Sequence, residues 1–169
     1  MAQQLNQTLA ALKVWPDAAR WRSDVALAVP TLLVMAGIGY LSGWISFSPV
    51  SDGQIILTAV VVLFFVPALI EEIFFRGLLL GWLTKITPRW SGWLSTLLFA
   101  LWHPLQAISF GPPWASVFLQ PSFIIATFIF GIILTHIRIV SGSLWPVIMI
   151  HWIAVLLWKL VWGGPFYQF

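Results

Sequence analysis

Five apolar stretches, separated by short polar segments, constrain the fold of this chain more than any other feature. They lie at about residues 25–46, 54–83, 91–108, 115–135 and 144–162. An α-helix rises 1.5 Å per residue, so about 20 apolar residues match the thickness of the hydrocarbon layer. Only 8% of the residues are charged, compared with about 25% in ordinary soluble domains. The sequence therefore predicts an integral membrane protein and excludes a soluble globular domain.

The apolar stretches are expected to form helices. A membrane β-strand alternates apolar and polar residues, whereas residues 60–66 are uniformly apolar. We therefore predict an all-α, polytopic transmembrane bundle of about five spans. Residues 1–24 are polar and basic and lack the apolar segment of a signal peptide. They are predicted to be a cytoplasmic or interfacial lead-in, and residues 25–169 a single transmembrane domain.

The basic residues predict how the bundle is oriented. With the N-terminus inside, six of them fall on the cytoplasmic side: Lys13, Arg20, Arg22, Lys85, Arg89 and Arg138. The connections expected on the other side, at 47–53 and 109–114, carry only Asp52. Cytoplasmic loops are enriched in Lys and Arg, so the N-terminus is predicted to be cytoplasmic. The basic residues form no patch, so we expect no binding to nucleic acid. The apolar stretches predict the lipid bilayer as a partner.

Two adjacent glutamates interrupt the longest apolar stretch. Glu71 and Glu72 are the only glutamates in the chain. Arg76 follows Glu72 by four residues, a spacing that favours a structural ion pair on one helix. Glu71 then has no partner on its own helix. An ionisable group inside a membrane is costly and is usually functional, so Glu71 is a candidate general base.

Two histidines lie in other apolar stretches. Counting inward from the predicted cytoplasmic loops at 1.5 Å per residue puts Glu71 and His103 about 20 Å deep and His151 about 15 Å deep. Polar groups of three helices thus fall in one layer, and we predict that they form a single site. His136 lies beside Arg138 at the end of a stretch and is predicted to be interfacial.

A carboxylate and two imidazoles in a dry site suit the activation of water for hydrolysis of an acyl group. The carboxylate takes the proton of the water, one imidazole orients it, and the other stabilises the oxyanion. The chain has no His-Glu-x-x-His motif and no cysteine, and no cofactor is predicted. However, Glu71, His103 and His151 match a catalytic zinc site in ligand type and number, so the sequence leaves zinc open.

Three sequence motifs resemble those of the CPBP (Abi) family, the CAAX proteases and bacteriocin-processing enzymes. The segment EEIFFRG at 71–77 resembles the family's EExxxR motif, and FALWH at 99–103 resembles its FxxxH motif. The stretch from Ser141 to His151 resembles the approach to its last motif, HxxxN/D. The resemblance covers about residues 54–158. It implies a helical membrane bundle with a polar cavity and a glutamic-type intramembrane endopeptidase.

The resemblance also implies roles for individual residues. Glu71 would be the general base and His103 its partner, with Glu72 and Arg76 in support and His151 at the oxyanion hole. Phe99 begins the second motif. The chain departs from the family at Val155, where the last motif has Asn or Asp. The indole N–H groups of Trp102 and Trp152 are candidates for the missing donor.

The resemblance further implies a substrate and a location. The substrate would be a membrane-associated protein or peptide, lipid-modified in the CAAX case, cut near the cytoplasmic side of a bacterial inner (plasma) membrane. Two alternatives stay open. One is a non-catalytic binding or immunity protein of the same family, for which Val155 is the main sign. The other is a transporter subunit that uses Glu71, Glu72 and the histidines as a proton relay.

Overall fold

The structure is a computed structural model, and it describes residues 2–165. Over that range the chain forms helices and no β-strand. We label the α-helices α1 (Ala2–Lys13), α2 (Ala18–Leu41), α3 (Gly53–Ile86), α4 (Ser91–Ser109), α5 (Pro121–Ser141) and α6 (Trp145–Leu160). A 3₁₀ helix, Pro113–Leu119, precedes α5. The prediction of an all-α bundle is confirmed.

The helices α2, α3 and α5 are each long and apolar enough to cross a membrane by themselves. Helix α6 is apolar but shorter, and α4 has 19 residues. The starts of two helices differ from those of the predicted spans by six or seven residues. Helix α2 starts at Ala18 because the Asp17 side chain caps it, accepting a hydrogen bond of 2.7 Å from the Arg20 amide. Helix α5 starts only at Pro121, a residue suited to the first helical position.

The predicted lead-in folds as α1 and the first turns of α2. Helix α1 packs on the second half of α3. Their backbones approach closely at Gly77, where a Cβ atom would lie 2.5 Å from Thr8 Cγ2. The Lys85 ammonium also donates a hydrogen bond of 2.6 Å to the Gln3 side chain. The chain before the first span is therefore docked on the bundle.

Hydrogen bonds between connections define two opposite faces of the bundle. One, the N-terminal face, consists of α1, residues 87–90 and residues 142–144. There the Ser143 hydroxyl donates to the Val14 carbonyl at 2.6 Å, and the Trp145 indole donates to the Leu12 carbonyl at 2.9 Å. The other, the distal face, consists of residues 42–52, 110–120 and 161–165. There the Ser48 amide donates to the Val161 carbonyl at 2.9 Å. The connections alternate between the two faces, which accounts for five passes.

Helix α3 is broken in the middle. Val66 has non-helical backbone angles (φ −133°, ψ 111°), and the next residue, Pro67, has no N–H to donate. The segment around the break, Phe64–Leu69, and the turns after Glu72, Ile73–Leu79, are π-helical. The break starts a second helical segment close before Glu71 and Glu72. Glu71 and Glu72 follow Pro67 by four and five residues, so both carboxylates lie in the second turn of this segment.

Candidate active site

A cavity of about 840 Å³ lies inside the bundle. It is lined by residues of α2 to α6 and of the 3₁₀ helix, and most of these residues are apolar. Glu71 from α3, His103 from α4 and His151 from α6 all line it. The structure thus brings the three residues that the sequence predicted to share a layer to one cavity.

The Glu71 carboxylate is held from α4. Its Oε1 atom accepts a hydrogen bond of 3.0 Å from the Trp102 indole and a long one of 3.5 Å from the Gln106 amide. Its Oε2 atom is buried and has no hydrogen-bond partner among the described residues. A buried carboxylate oxygen needs a donor, and water is the smallest donor that a cavity can admit. Glu71 therefore has one oxygen fixed by the protein and one buried oxygen that no described group of the protein binds.

Glu72 lies behind the cavity wall and not on it. Its Oε1 atom accepts from Arg76 Nη1 at 3.0 Å and from His151 Nδ1 at 2.8 Å. Glu72 and Arg76 are 0% exposed and His151 is 3% exposed. The i,i+4 ion pair that the spacing predicted is therefore present. Because Glu72 also binds His151, the pair connects α3 to α6 and fixes the ring that faces the cavity.

The Arg76 guanidinium is enclosed on its other sides. It lies 3.9 Å above the centroid of the Phe99 ring and donates a long hydrogen bond of 3.4 Å to the Gly131 carbonyl. Its charge is thus balanced by Glu72 and by the face of an aromatic ring. Phe99 serves the site through this contact and through its own carbonyl.

Hydrogen bonds assign the tautomers of both histidines. His103 Nδ1 lies 3.0 Å from the Phe99 carbonyl oxygen. A carbonyl only accepts, so Nδ1 carries the proton and the neutral ring presents Nε2 as a base. His151 Nδ1 faces the Glu72 carboxylate in the same way. Its Nε2 can donate only when the ring is an imidazolium. Edge-to-face contacts with Phe99 and Phe118 hold the His103 ring.

The two tryptophans differ in where their N–H groups point. The Trp102 indole donates to Glu71, whereas the Trp152 indole donates to the Val60 carbonyl at 3.0 Å. Both N–H groups already donate to acceptors of the protein.

Val155 lines the cavity one turn after His151 and offers no hydrogen bond there. His136 is exposed on α5 and does not line the cavity.

Two cavity residues were missed by the sequence analysis. Gln106 lines the cavity three residues after His103, a spacing that puts both on one face of α4. An amide at that spacing inside an apolar helix was the available signal. Lys159 also lines the cavity near its distal end. Its ammonium lies 3.8 Å from the ring centroid of Trp114 and 4.5 Å from that of Trp158.

Metal binding was left open by the sequence. Within residues 2–165, no group of three or more His, Asp or Glu side chains is arranged to hold a metal ion. The set Glu71, His103 and His151 shares the cavity without forming such a group. His103 Nδ1 is hydrogen-bonded to the Phe99 carbonyl, and His151 Nδ1 is hydrogen-bonded to the Glu72 carboxylate.

The cavity extends toward one end of the bundle. Its lining includes Trp44, Asp52, Gly111, Trp114 and Trp162, all on or next to the distal face. None of its lining residues belongs to α1, 87–90 or 142–144. The cavity therefore extends from the site toward the face opposite the basic connections.

Comparison with family models finds a match over most of the chain. Residues 53–157 match the family model described as "Type II CAAX prenyl endopeptidase Rce1-like". Separate comparisons with curated proteins and with solved structures give no match. The matched range covers more than half of the chain and contains the glutamates and both cavity histidines. The chain therefore belongs to the type II CAAX prenyl endopeptidase Rce1-like family.

Proposed function

We propose that the protein is an intramembrane endopeptidase of the glutamic type, which hydrolyses a peptide bond of a membrane-associated protein or peptide. The observation that carries the proposal is the state of Glu71. One of its carboxylate oxygens is held by Trp102, and the other has no partner among the described residues. The same cavity presents two imidazoles.

In the proposed mechanism, Glu71 takes a proton from a water molecule that His103 Nε2 helps to orient. The water oxygen bonds to the carbonyl carbon of the substrate, and the carbonyl electrons move to its oxygen. His151 and the Gln106 amide beside Glu71 stabilise this oxyanion. The carbonyl re-forms as the C–N bond breaks, and the proton passes from Glu71 to the leaving amine.

The remaining residues of the site act as support in this proposal. Trp102 fixes the orientation of the Glu71 carboxylate. Glu72 and Arg76 do not reach the cavity, and we assign them the positioning of His151. Catalysis is faster when the reacting groups are already oriented before the substrate binds. In this proposal, the buried contacts orient Glu71 and His151.

The lining of the cavity supports an apolar substrate. Aromatic side chains line much of its distal part: Trp44, Phe110, Trp114, Phe118, Phe123, Trp158 and Trp162. An apolar cavity with a few placed polar groups suits an apolar ligand. A peptide with apolar side chains or a lipid modification fits this lining, as in CAAX-type or bacteriocin-processing substrates.

A non-catalytic binding protein of the same family is the second candidate. The observation in its favour is Val155, an apolar residue on the cavity wall where the family motif has a hydrogen-bonding one. Such a protein would bind a peptide without cutting it. Its binding would not depend on the charge of Glu71.

Cleavage of a quenched fluorescent peptide library by the purified, reconstituted protein tests the proposal. We expect cleavage by the wild type, and loss of cleavage in Glu71→Gln and His103→Ala. His136→Ala is the matched control, because His136 is exposed and does not line the cavity. Thermal unfolding of each variant checks that the fold is retained.

Each result separates the candidates. Equal cleavage by wild type and Glu71→Gln would overturn the general-base role. Peptide binding without cleavage, unchanged in Glu71→Gln, would support the non-catalytic candidate. Loss of wild-type cleavage with a zinc chelator, restored by added zinc, would replace the glutamic mechanism with a metal-dependent one. Proton-coupled flux in proteoliposomes, lost in Glu71→Gln, would favour the transporter.

A further inference from the structure

We propose that the Thr127 hydroxyl is a further hydrogen-bond donor of the site, and that it binds the carbonyl oxygen of the peptide that the cavity holds. That water then attacks this carbonyl rests on the proposed function. The donor itself is inferred from the position of Thr127 on α5 and from the surroundings of its hydroxyl.

Thr127 lies on the face of α5 that meets both cavity histidines. The ring centroid of Phe123 lies 5.7 Å from that of His103, and the ring centroid of Phe130 lies 5.7 Å from that of His151. Thr127 follows Phe123 by four residues and precedes Phe130 by three, so the three side chains share one stripe of the helix. All three line the cavity. Thr127 is therefore at the depth of the two imidazoles and faces the same space.

The Thr127 hydroxyl differs from those of other buried threonines. A threonine inside a helix often donates to the carbonyl one turn earlier, and Thr8 and Thr31 do so at 2.9 Å. Thr96 and Thr135 bind each other at 3.1 Å. Thr127 is only 5% exposed, yet its hydroxyl has no hydrogen-bond partner within residues 2–165, and its oxygen is not fully enclosed. A hydroxyl in an apolar wall is costly without a partner, so this position suits a ligand that supplies one.

The helix opposite Thr127 offers no side-chain hydrogen bond at this level. Helices α5 and α6 run in opposite directions, with the Phe130 ring against the His151 ring. Thr127, three residues before Phe130, is therefore level with the residues three and four after His151. These are Ala154 and Val155, and both line the cavity. The hydroxyl on α5 thus supplies a donor where the facing wall is apolar.

A carbonyl oxygen is the part of a peptide that needs such a donor. In their proposed roles, the Glu71 carboxylate and His103 Nε2 accept protons, so they suit water. His151 Nε2 donates only when its ring is an imidazolium, whereas a neutral hydroxyl always carries a proton to share. As the water oxygen bonds to the carbonyl carbon, the carbonyl electrons move to the oxygen, and the hydrogen bond from Thr127 strengthens. The proton stays on the hydroxyl throughout.

Thr127→Val tests the donor, because valine keeps the shape of threonine and removes the hydroxyl. Loss of one oxyanion donor commonly lowers the rate about 10²–10³-fold, so we expect a fall of that order in kcat with KM little changed. Thr127→Ser keeps the hydroxyl and should retain most of the kcat. Thr84→Val is the matched control, since Thr84 is exposed on α3 and does not line the cavity. An unchanged kcat in Thr127→Val, or equal losses in Thr127→Val and Thr127→Ser, would overturn the proposal.

A relocated donor tests the position of the hydroxyl. Val155→Asn places an amide at the same level on the facing helix. Added to Thr127→Val, it should restore part of the lost kcat, whereas Val155→Ala should restore none. Equal kcat in the two double variants would contradict the placement of Thr127 opposite Val155. Thermal unfolding of each variant in detergent checks that the fold is retained.

Ligand affinity separates this donor from the proposed hydrolysis. An apolar tripeptide aldehyde presents a carbonyl without a peptide bond to cut, and its binding is measured in the Glu71→Gln protein with and without Thr127→Val. We expect Thr127→Val to weaken binding about two- to tenfold, as for the loss of one neutral hydrogen bond. Weaker binding, with no peptide cleavage by the wild type, would support the donor and count against the hydrolysis. Cleavage that is lost in Glu71→Gln, with affinity and kcat both unchanged by Thr127→Val, would overturn the donor alone.

Discussion

The Trp102 indole donates a hydrogen bond of 3.0 Å to Glu71 Oε1, joining two helices across the layer of the site. The two residues are 31 positions apart in the chain. The contact fixes Oε1 and leaves Oε2 without a partner among the described residues. It explains how a single carboxylate on a broken helix keeps one orientation inside an apolar bundle.

We predict that Trp102→Phe slows peptide cleavage. Phenylalanine keeps an aromatic ring near Phe75 and Phe110 but removes the donor to the carboxylate. Hydrogen bonds to charged groups contribute about 1.5–3 kcal/mol, so kcat/KM should fall roughly tenfold to a hundredfold. Trp152→Phe is the control, since its indole donates to the Val60 carbonyl and not to the site. Equal losses in the two variants would show that the Trp102 N–H has no special role.

Gln106 is expected to supply a donor to the oxyanion. Its amide lies 3.5 Å from Glu71 Oε1, a separation too long to commit its N–H groups firmly. In the proposed mechanism, the oxyanion forms next to the water that Glu71 activates, within reach of this amide. Removing one oxyanion donor commonly costs about 10²–10³ in rate. We expect Gln106→Leu to lower kcat by that order, with KM little changed.

Val155 allows a rescue test of the same idea. The side chain lines the cavity one turn after His151, so Val155→Asn adds a donor to the wall. We predict that Val155→Asn restores part of the kcat lost in Gln106→Leu, and that Val155→Ala restores none. Equal kcat in Gln106→Leu with and without Val155→Asn would contradict the shared role. Steady-state kinetics of the four variants provides the comparison.

The buried ion pair is expected to dominate the stability of the site. Arg76→Met leaves the Glu72 carboxylate without its guanidinium partner at 0% exposure. Breaking a buried pair by removing one partner costs about 3–5 kcal/mol. Thermal unfolding in detergent should show a large drop, and Arg89→Met, at an exposed position, should show little. Adding Glu72→Gln to Arg76→Met should recover part of the loss. No recovery would mean that the charge of Glu72 is not what destabilises the single variant.

Gly131 is expected to tolerate no side chain. A Cβ atom there would lie 3.0 Å from Thr96 Cγ2, 3.2 Å from Phe99 Cδ1 and 3.3 Å from Arg76 Nη2. Overpacking of this kind costs about 1–3 kcal/mol, so Gly131→Ala should lower the unfolding temperature and the rate of cleavage. At Gly37, inside α2, a Cβ would meet nothing within 4 Å. Gly37→Ala should therefore be neutral or slightly stabilising, and a similar drop in both variants would contradict the packing argument.

Several features followed from the sequence by itself. The apolar stretches predicted the helical bundle because the thickness of a membrane and the rise of a helix are fixed. The length and composition of a segment then decide whether it can span. The spacing of Glu72 and Arg76 predicted their pair for the same local reason. Glu71 was singled out because an ionisable group is rare and costly at that depth.

Other features were decided only by the tertiary structure. The hydrogen bond between His151 and Glu72 joins residues 79 positions apart, and the contact between Gln106 and Glu71 joins residues 35 apart. No local pattern specifies which face of one helix meets which face of another. The docking of α1 at Gly77 and the extension of the cavity toward the distal face depend on such contacts too. The sequence determined which groups lie at membrane depth, and packing between distant segments decided which of them meet and in which direction their cavity extends.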